Sequence, residues 1–416
     1  MIVSFRRIGY VKITIFGFAT SALWNSLHGI VLPLRLLDFV GEAQKNTYLG
    51  LLTFSGLVLA ILVQPVAGSM SDSSGFRWGR RRPYVLFGTL VALVILPGIG
   101  LAERLIALFV AYCLLQISAN TAQGPYQALI PDLVPEGKRG RASGVKVLLE
   151  ILGGIALVRL VGYLMGQYAT GRESQWLWAV LGSLGGALLV AMLITVITVK
   201  ERPLDVHPHL SLLPTLRRSF RIDAKAKPDF ILFLVSRLLI IMALTTLQTF
   251  ALYFLRDVIG VTNPAEVTAD LLIVVGIGML SAVYPAGRLT DRIGRRPVGV
   301  FAALLGALGI AIFFLSTRYG HIMFGGAIIG VATGAFMSSN WALATDLVSK
   351  GEEARYLGLT NLATAGGSAL ARLAGPGIDF FNRSSAGLGY QVMLGACFVY
   401  FIVGAILLMR IKVQPK

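Results

Sequence analysis

The chain has 416 residues, of which 56% are hydrophobic and only 14% charged, and its formal net charge is +17. A mean hydropathy of +0.75 excludes an ordinary soluble domain and makes the chain a membrane protein. The positive charge sits in short connections and tails, with no segment able to form a soluble basic face, which argues against a nucleic-acid partner.

About 20 apolar residues cross roughly 30 Å of hydrocarbon, and twelve stretches of that order follow one another: 10–33, 48–68, 84–102, 105–130, 142–165, 176–199, 230–254, 267–286, 298–316, 321–344, 356–378 and 389–410. In lipid, runs this apolar are helices, because only helices and closed barrels satisfy their backbone groups internally. The first segment is expected to be a retained helix and not a cleaved signal, since no small-residue cleavage site follows it. It aligns Ser21, Asn25 and His28 on one face beside Trp24. After the second segment comes GSMSDSSGFRWGRRRPY, where Gly68, Asp72, Arg80, Arg81 and Arg82 form a dense charged knot.

On the fourth segment Gln116, Asn120, Gln123 and Gln127 are spaced i, i+4, i+7 and i+11, which makes one polar stripe. Such a stripe serves either an aqueous cavity or hydrogen bonding between helices. The fifth segment places Lys146 and Glu150 one turn apart, a pairing distance, and Glu150 is the only acid in the interior of a span; Arg159 lies further along. Residues 200–229 are the only long connection, rich in Lys and Arg, and are expected to lie against anionic lipid. The chain thus divides into an N-terminal six-helix bundle (1–199), a basic linker (200–229) and a C-terminal six-helix bundle (230–416).

The seventh segment carries Arg237 and Gln248 on one face, the tenth ends with Asn340 and Trp341, and the eleventh aligns Asn361, Ser368 and Arg372. Cys113 and Cys397 stand alone in apolar runs, so neither a disulfide framework nor a metal site is expected. If the N-terminus is cytoplasmic, only seven Lys and Arg fall in the odd-numbered connections, a few lie within helices, and most of the others crowd the tails and the even-numbered connections. By the positive-inside rule both termini then face the cytoplasm of a multi-pass protein in the cell membrane, a bacterial inner membrane being the expected one.

The halves repeat. ALIPDLVPEGKRGRASG from Ala128 recurs as ALATDLVSKGEEARYLG from Ala342, pairing Asp132, Arg141 and Gly144 with Asp346, Arg355 and Gly358 at an offset of 214 residues. The basic knot recurs as GRLTDRIGRRP, with Gly287, Asp291, Arg295 and Arg296. Two parallel six-helix units related by an axis along the membrane normal are expected.

GRLTDRIGRR resembles the loop motif of the major facilitator superfamily, and the resemblance extends over essentially the whole chain. The first copy, with six residues between Asp72 and Gly79, resembles the sucrose carriers and the glycoside-pentoside-hexuronide:cation symporters. NTAQGPYQALIPDL from Asn120 is similar to their helix 4 block. The chain departs from the sucrose carriers where an acid and an arginine are replaced by Gln116 and Gln127, so proton coupling through that pair is not implied.

The resemblance implies an all-α fold of twelve transmembrane helices and a central cavity lined by helices 1, 4, 7 and 10. Trp24, Asn25, His28, Gln116, Asn120, Gln123, Arg237, Gln248, Asn340, Trp341, Asn361 and Arg372 become candidates for contact with a small polar solute. Amides beside an indole suit a polyhydroxylated ligand. Glu150 with Lys146 is the candidate for coupling to a proton or sodium ion, and the two charged loops with Asp132, Arg141, Asp346 and Arg355 are the candidate gate. No nucleotide-binding or hydrolase motif is present, so the expected function is a monomeric secondary transporter, without cofactor, for a sugar or glycoside. Export of drugs, lipids or metabolites on the same fold, and a receptor or assembly role without transport, remain open at this point.

Overall fold

The computed structural model describes residues 7–201, 228–316, 318–347 and 353–412. Most of the expected linker (202–227) lies outside them, as does the side chain of Arg355. The described residues fold almost entirely as helices. They are α1 (Gly9–Leu36), α2 (Glu42–Asp72), α3 (Arg82–Leu101), α4 (Leu105–Leu133), α5 (Glu136–Gly171), α6 (Ser174–Thr198), α7 (Pro228–Asp257), α8 (Pro264–Ile293), α9 (Arg295–Leu315), α10 (Tyr319–Ala344), α11 (Glu353–Arg372) and α12 (Leu388–Arg410).

Eleven of these are long and apolar enough to cross a membrane by length and composition. The other is α11, whose Thr360, Asn361, Thr364, Ser368 and Arg372 dilute its apolar content; a short helix, Gly375–Asn382, follows it. α1 contains a π-helical turn at Leu27–Val31 that includes His28, a local widening of the ladder that is common near functional side chains.

The residues divide into two compact units, one holding 7–40 and 55–201, the other 41–54 and 228–412. Within the first, α1 packs on α5 and α6, and α3 on α4 and α6. Within the second, α7 packs on α11 and α12, and α9 on α10 and α12. Each pairing in one unit has its counterpart in the other.

Two equivalent glycines allow close crossings, one in each unit. A Cβ on Gly153 of α5 would run into the backbone carbonyl of Phe18 on α1, and a Cβ on Gly367 of α11 into that of Leu238 on α7. Without side chains at these crossings the backbones come together at van der Waals distance, the usual device where no hydrophobic effect drives helix association.

Candidate functional site

The charged loops come first because their glycines shape them. Gly79 (φ 122°) and Gly294 (φ 96°) occupy the left-handed region, which side chains disfavour. Each is followed at once by the arginines and a new helix. Arg80 Nη2 lies 2.7 Å from Asp132 Oδ1, and Arg81 Nε donates to Asp132 Oδ2 at 2.9 Å. The Arg81 guanidinium, 4% exposed, also reaches the Gly68 carbonyl at 3.1 Å, the Ser71 hydroxyl and the Asp72 carboxylate. One arginine therefore ties the end of α2 to the end of α4.

Arg82 does not touch Asp132. It donates to the carbonyls of Val196 (2.6 Å) and Trp78 (2.9 Å), while Glu201 accepts the backbone N–H groups of Arg81 and Arg82 at 2.8 and 3.0 Å. Glu201 thus caps α3 at its positive end. In the second unit Arg295 pairs with Asp346 and donates to the Ala342 carbonyl at 2.5 Å, and Arg296 donates to the Met409 carbonyl. Asp291 and Arg141 are exposed, and neither makes a polar contact with another described residue. A Cβ on Gly68 would meet nothing within 4 Å, and one on Gly287 would lie 3.3 Å from the Ser338 hydroxyl.

Five polar residues of the first unit form one hydrogen-bonded chain. Gln64 Nε2 donates to Asn120 Oδ1 (2.6 Å), Asn120 Nδ2 to Gln116 Oε1 (2.8 Å), and Gln116 Nε2 to the Tyr112 hydroxyl (2.8 Å). The Tyr112 oxygen lies 2.9 Å from His28 Nε2. Which of the two donates across this contact follows the histidine tautomer. His28 in turn stacks on Trp24, with ring centroids 5.3 Å apart. Asn25 donates to the Ser21 carbonyl at 2.9 Å, and Gln123 Oε1 is buried without a partner.

Nearby, Lys146 Nζ stands 3.6 Å from Glu150 Oε1, with both side chains half-buried. The Tyr126 hydroxyl accepts from Gly17 N at 3.0 Å and donates to the Thr14 carbonyl at 2.9 Å, and a Cβ on Gly17 would press on both Tyr126 and Glu150. The Glu150 carboxylate is therefore packed on the bare face of α1. Arg159 is exposed.

In the second unit Arg237, Asn340, Trp341 and Thr364 come together from three helices: Arg237 Nε donates to Thr364 Oγ1 at 2.8 Å, Nη1 donates to Asn340 Oδ1, and the guanidinium lies 5.4 Å from the Trp341 ring centroid. Arg372 donates to the Ser368 carbonyl at 2.6 Å, and Ser368 lies 3.3 Å from the Thr245 hydroxyl. Gln248 and Asn361 are exposed.

A cluster absent from the sequence reading lies at the opposite helix ends of this second unit. Lys45 Nζ contacts Asp257 (2.5 Å) and Glu42 (2.7 Å), and Arg256 also pairs with Glu42. Buried Asp379 accepts Asn46 Nδ2 at 2.8 Å and the Thr47 N–H at 2.7 Å, and the Tyr390 hydroxyl donates to Asp257 at 2.7 Å. Among the described residues no group of His, Cys, Asp and Glu is placed to hold a metal ion.

Two units with matching helix pairings, each with a glycine-turned arginine loop gripping an aspartate and with polar side chains buried inside, define a twelve-helix secondary transporter of the major facilitator fold. The profile described as MFS/sugar transport protein matches residues 17–381, and the chain belongs to that family. It is 23% identical over 358 residues to the glucuronide carrier protein homolog of Escherichia coli, covering 82% of this chain and 75% of that one. To an uncharacterized symporter, YnaJ, of Bacillus subtilis it is 27% identical over 319 residues, 71% of this chain and 65% of that one. The match to a sucrose transport protein of Oryza sativa, 25% over 236 residues, covers 47% of this chain and 43% of that protein, less than half of each.

Among solved structures, the nucleoside transporter NupG superposes with a TM-score of 0.73 at 14% identity, covering 98% of this chain and 99% of that one. A D-xylose-proton symporter gives 0.71 at 16% identity, covering 98% and 97%. At such identities the structures establish the fold.

Proposed function

We propose that this protein carries a sugar or glycoside across the cell membrane by alternating access, in symport with a proton or sodium ion. The observation that carries the solute class is the hydrogen-bonded chain Gln64, Asn120, Gln116, Tyr112 and His28, ending on the Trp24 ring. Amides and a phenol present donors and acceptors together, which a polyhydroxylated ring needs, and an indole covers its apolar C–H face. The named relatives, a glucuronide carrier homolog and sucrose transport proteins, support the same class.

Coupling falls to Glu150. A carboxylate inside a span is costly, by about 2.5–3.5 kcal/mol on insertion scales, and this one is offset by a single amine at 3.6 Å. A bound cation would displace Lys146 from it. Both termini lie on the cytoplasmic side, with the basic loops against anionic lipid.

The test is uptake into proteoliposomes with a panel of labelled sugars and imposed proton or sodium gradients. Gradient-driven accumulation of at least one sugar is expected, and Glu150→Gln should leave exchange at equal concentrations while abolishing accumulation. Unchanged accumulation in Glu150→Gln would reassign the coupling group, and no uptake of any sugar would remove the sugar reading.

A further inference from the structure

Arg237 stands apart from the other buried cations. Among the described residues Lys45, Arg81 and Arg237 are the buried Lys and Arg side chains, at 4%, 4% and 3% exposure. Lys45 holds Asp257 and Arg81 holds Asp132 and Asp72, while no carboxylate of a described residue lies within 4.0 Å of Arg237. Its partners are neutral: Thr364 Oγ1 on α11 and Asn340 Oδ1 on α10. It is nine residues into α7, about 13.5 Å along the helix axis from its first residue, a depth at which a buried charge needs a counterpart.

The donors left over define what that counterpart is. Arg237 Nη2 has no acceptor among the described residues. Because Arg237 takes the Asn340 oxygen, the Asn340 amide is turned so that Nδ2 faces away from the guanidinium, and Nδ2 is buried with no partner. Two N–H groups on adjoining side chains, one of them cationic, call for an acceptor with two oxygens and a negative charge. A planar carboxylate meets that requirement by accepting from both. Trp341, 42% exposed, lies against the guanidinium and offers an apolar face to the ring that bears the carboxylate.

We propose that Arg237, Asn340, Trp341 and Thr364 form a carboxylate subsite, and that the solute is an acidic sugar or glycoside. Arg237 and Asn340 Nδ2 bind the carboxylate, Thr364 positions the guanidinium, and Trp341 covers the sugar. This rests on the sugar reading above.

The test is binding to purified protein, followed by calorimetry, of three probes: 4-nitrophenyl β-D-glucuronide, the matching glucoside, and glucose 6-phosphate. The glucuronide is expected to bind at least tenfold more tightly than the glucoside, with the phosphate weaker than the glucuronide. Arg237→Gln should bring the two glycosides within about twofold of each other, and Arg237→Lys should keep part of the preference.

Should Arg237→Gln not fold, Asn340→Asp supplies the site with its own carboxylate and is expected to erase the preference in the same way. A glucoside bound as tightly as the glucuronide by the wild type, or a preference that survives in both Arg237→Gln and Asn340→Asp, overturns the subsite while leaving the sugar reading in place. Tighter binding of the sugar phosphate overturns the carboxylate. If none of the probes and no other sugar binds, the sugar reading fails, and the subsite with it.

Discussion

Asp132 accepts a hydrogen bond from Arg81 at 2.9 Å, and the guanidinium so held also grips Asp72, so the ends of α4 and α2 share one cation. Arg81→Lys keeps the charge but not the fork that serves several acceptors at once. Hydrogen bonds to charged groups are worth about 1.5–3 kcal/mol each, so the variant is expected to lose transport by at least tenfold and to melt at lower temperature in detergent. Asp132→Asn should have the milder effect, because Asp72 still holds the arginine. Initial uptake rates and melting midpoints of the two variants check the order.

Tyr112 is the joint between the amide chain and His28. Tyr112→Phe leaves Gln116 Nε2 buried without its acceptor, which costs about 1–3 kcal/mol. The expected outcome is a lower melting temperature together with a rise in the KM for the transported sugar. A Gln116→Leu, Tyr112→Phe double variant should recover part of the stability, because the stranded amide is gone and Asn120 Nδ2 keeps the backbone carbonyl of residue 116, while leaving transport poor.

At Gly153 the space is defined by the Phe18 carbonyl, which cannot move aside as a side chain can. Gly153→Ala forces α1 and α5 apart, an overpacking cost of about 1–3 kcal/mol. The equivalent Gly367→Ala strains α7 against α11. Both should reduce folded yield, read by size-exclusion chromatography. Gly186→Ala on α6, where an added Cβ meets nothing within 4 Å, should be silent.

Asp379 caps the first turn of α2 through Asn46 and the Thr47 N–H. Asp379→Asn is expected to destabilise the protein by about 1–3 kcal/mol, because one acceptor becomes a donor facing a donor. Asp379→Glu, which keeps the charge but lengthens the arm, should do less damage. Thermal melts of the purified variants separate the two.

The twelve helices and the pairing of the halves were legible because hydropathy and a 214-residue repeat are properties of continuous sequence. Arg80, Arg81 and Asp132 could be connected from the loop motif. The distinct tasks of Arg81 and Arg82 could not, since they depend on where Glu201 and the Val196 carbonyl arrive from α6. Tyr112 extends the helix 4 stripe by one turn, at i−4 from Gln116, and was overlooked because a tyrosine in an apolar run reads as packing. Gln64 is the one amide in the apolar body of α2, beyond Gln44 and Asn46 at its start. Asn46 and Asp379 lie 333 residues apart, a pairing that no helical period reports.

The isolation of Arg237 from any acid of a described residue also has an electrical meaning. An empty carrier holds an uncompensated positive charge at this site; an acid bound alone would cancel it, and an acid bound with its coupling cation would restore the same net charge. A membrane potential of 100 mV acts on a full elementary charge with about 2.3 kcal/mol. If the empty form moves its charge through about a third of the field, that is ~0.8 kcal/mol, or about a fourfold change in rate. Voltage would then act about equally on the return step and on the crossing of an acid with its cation, and would spare only an acid crossing alone.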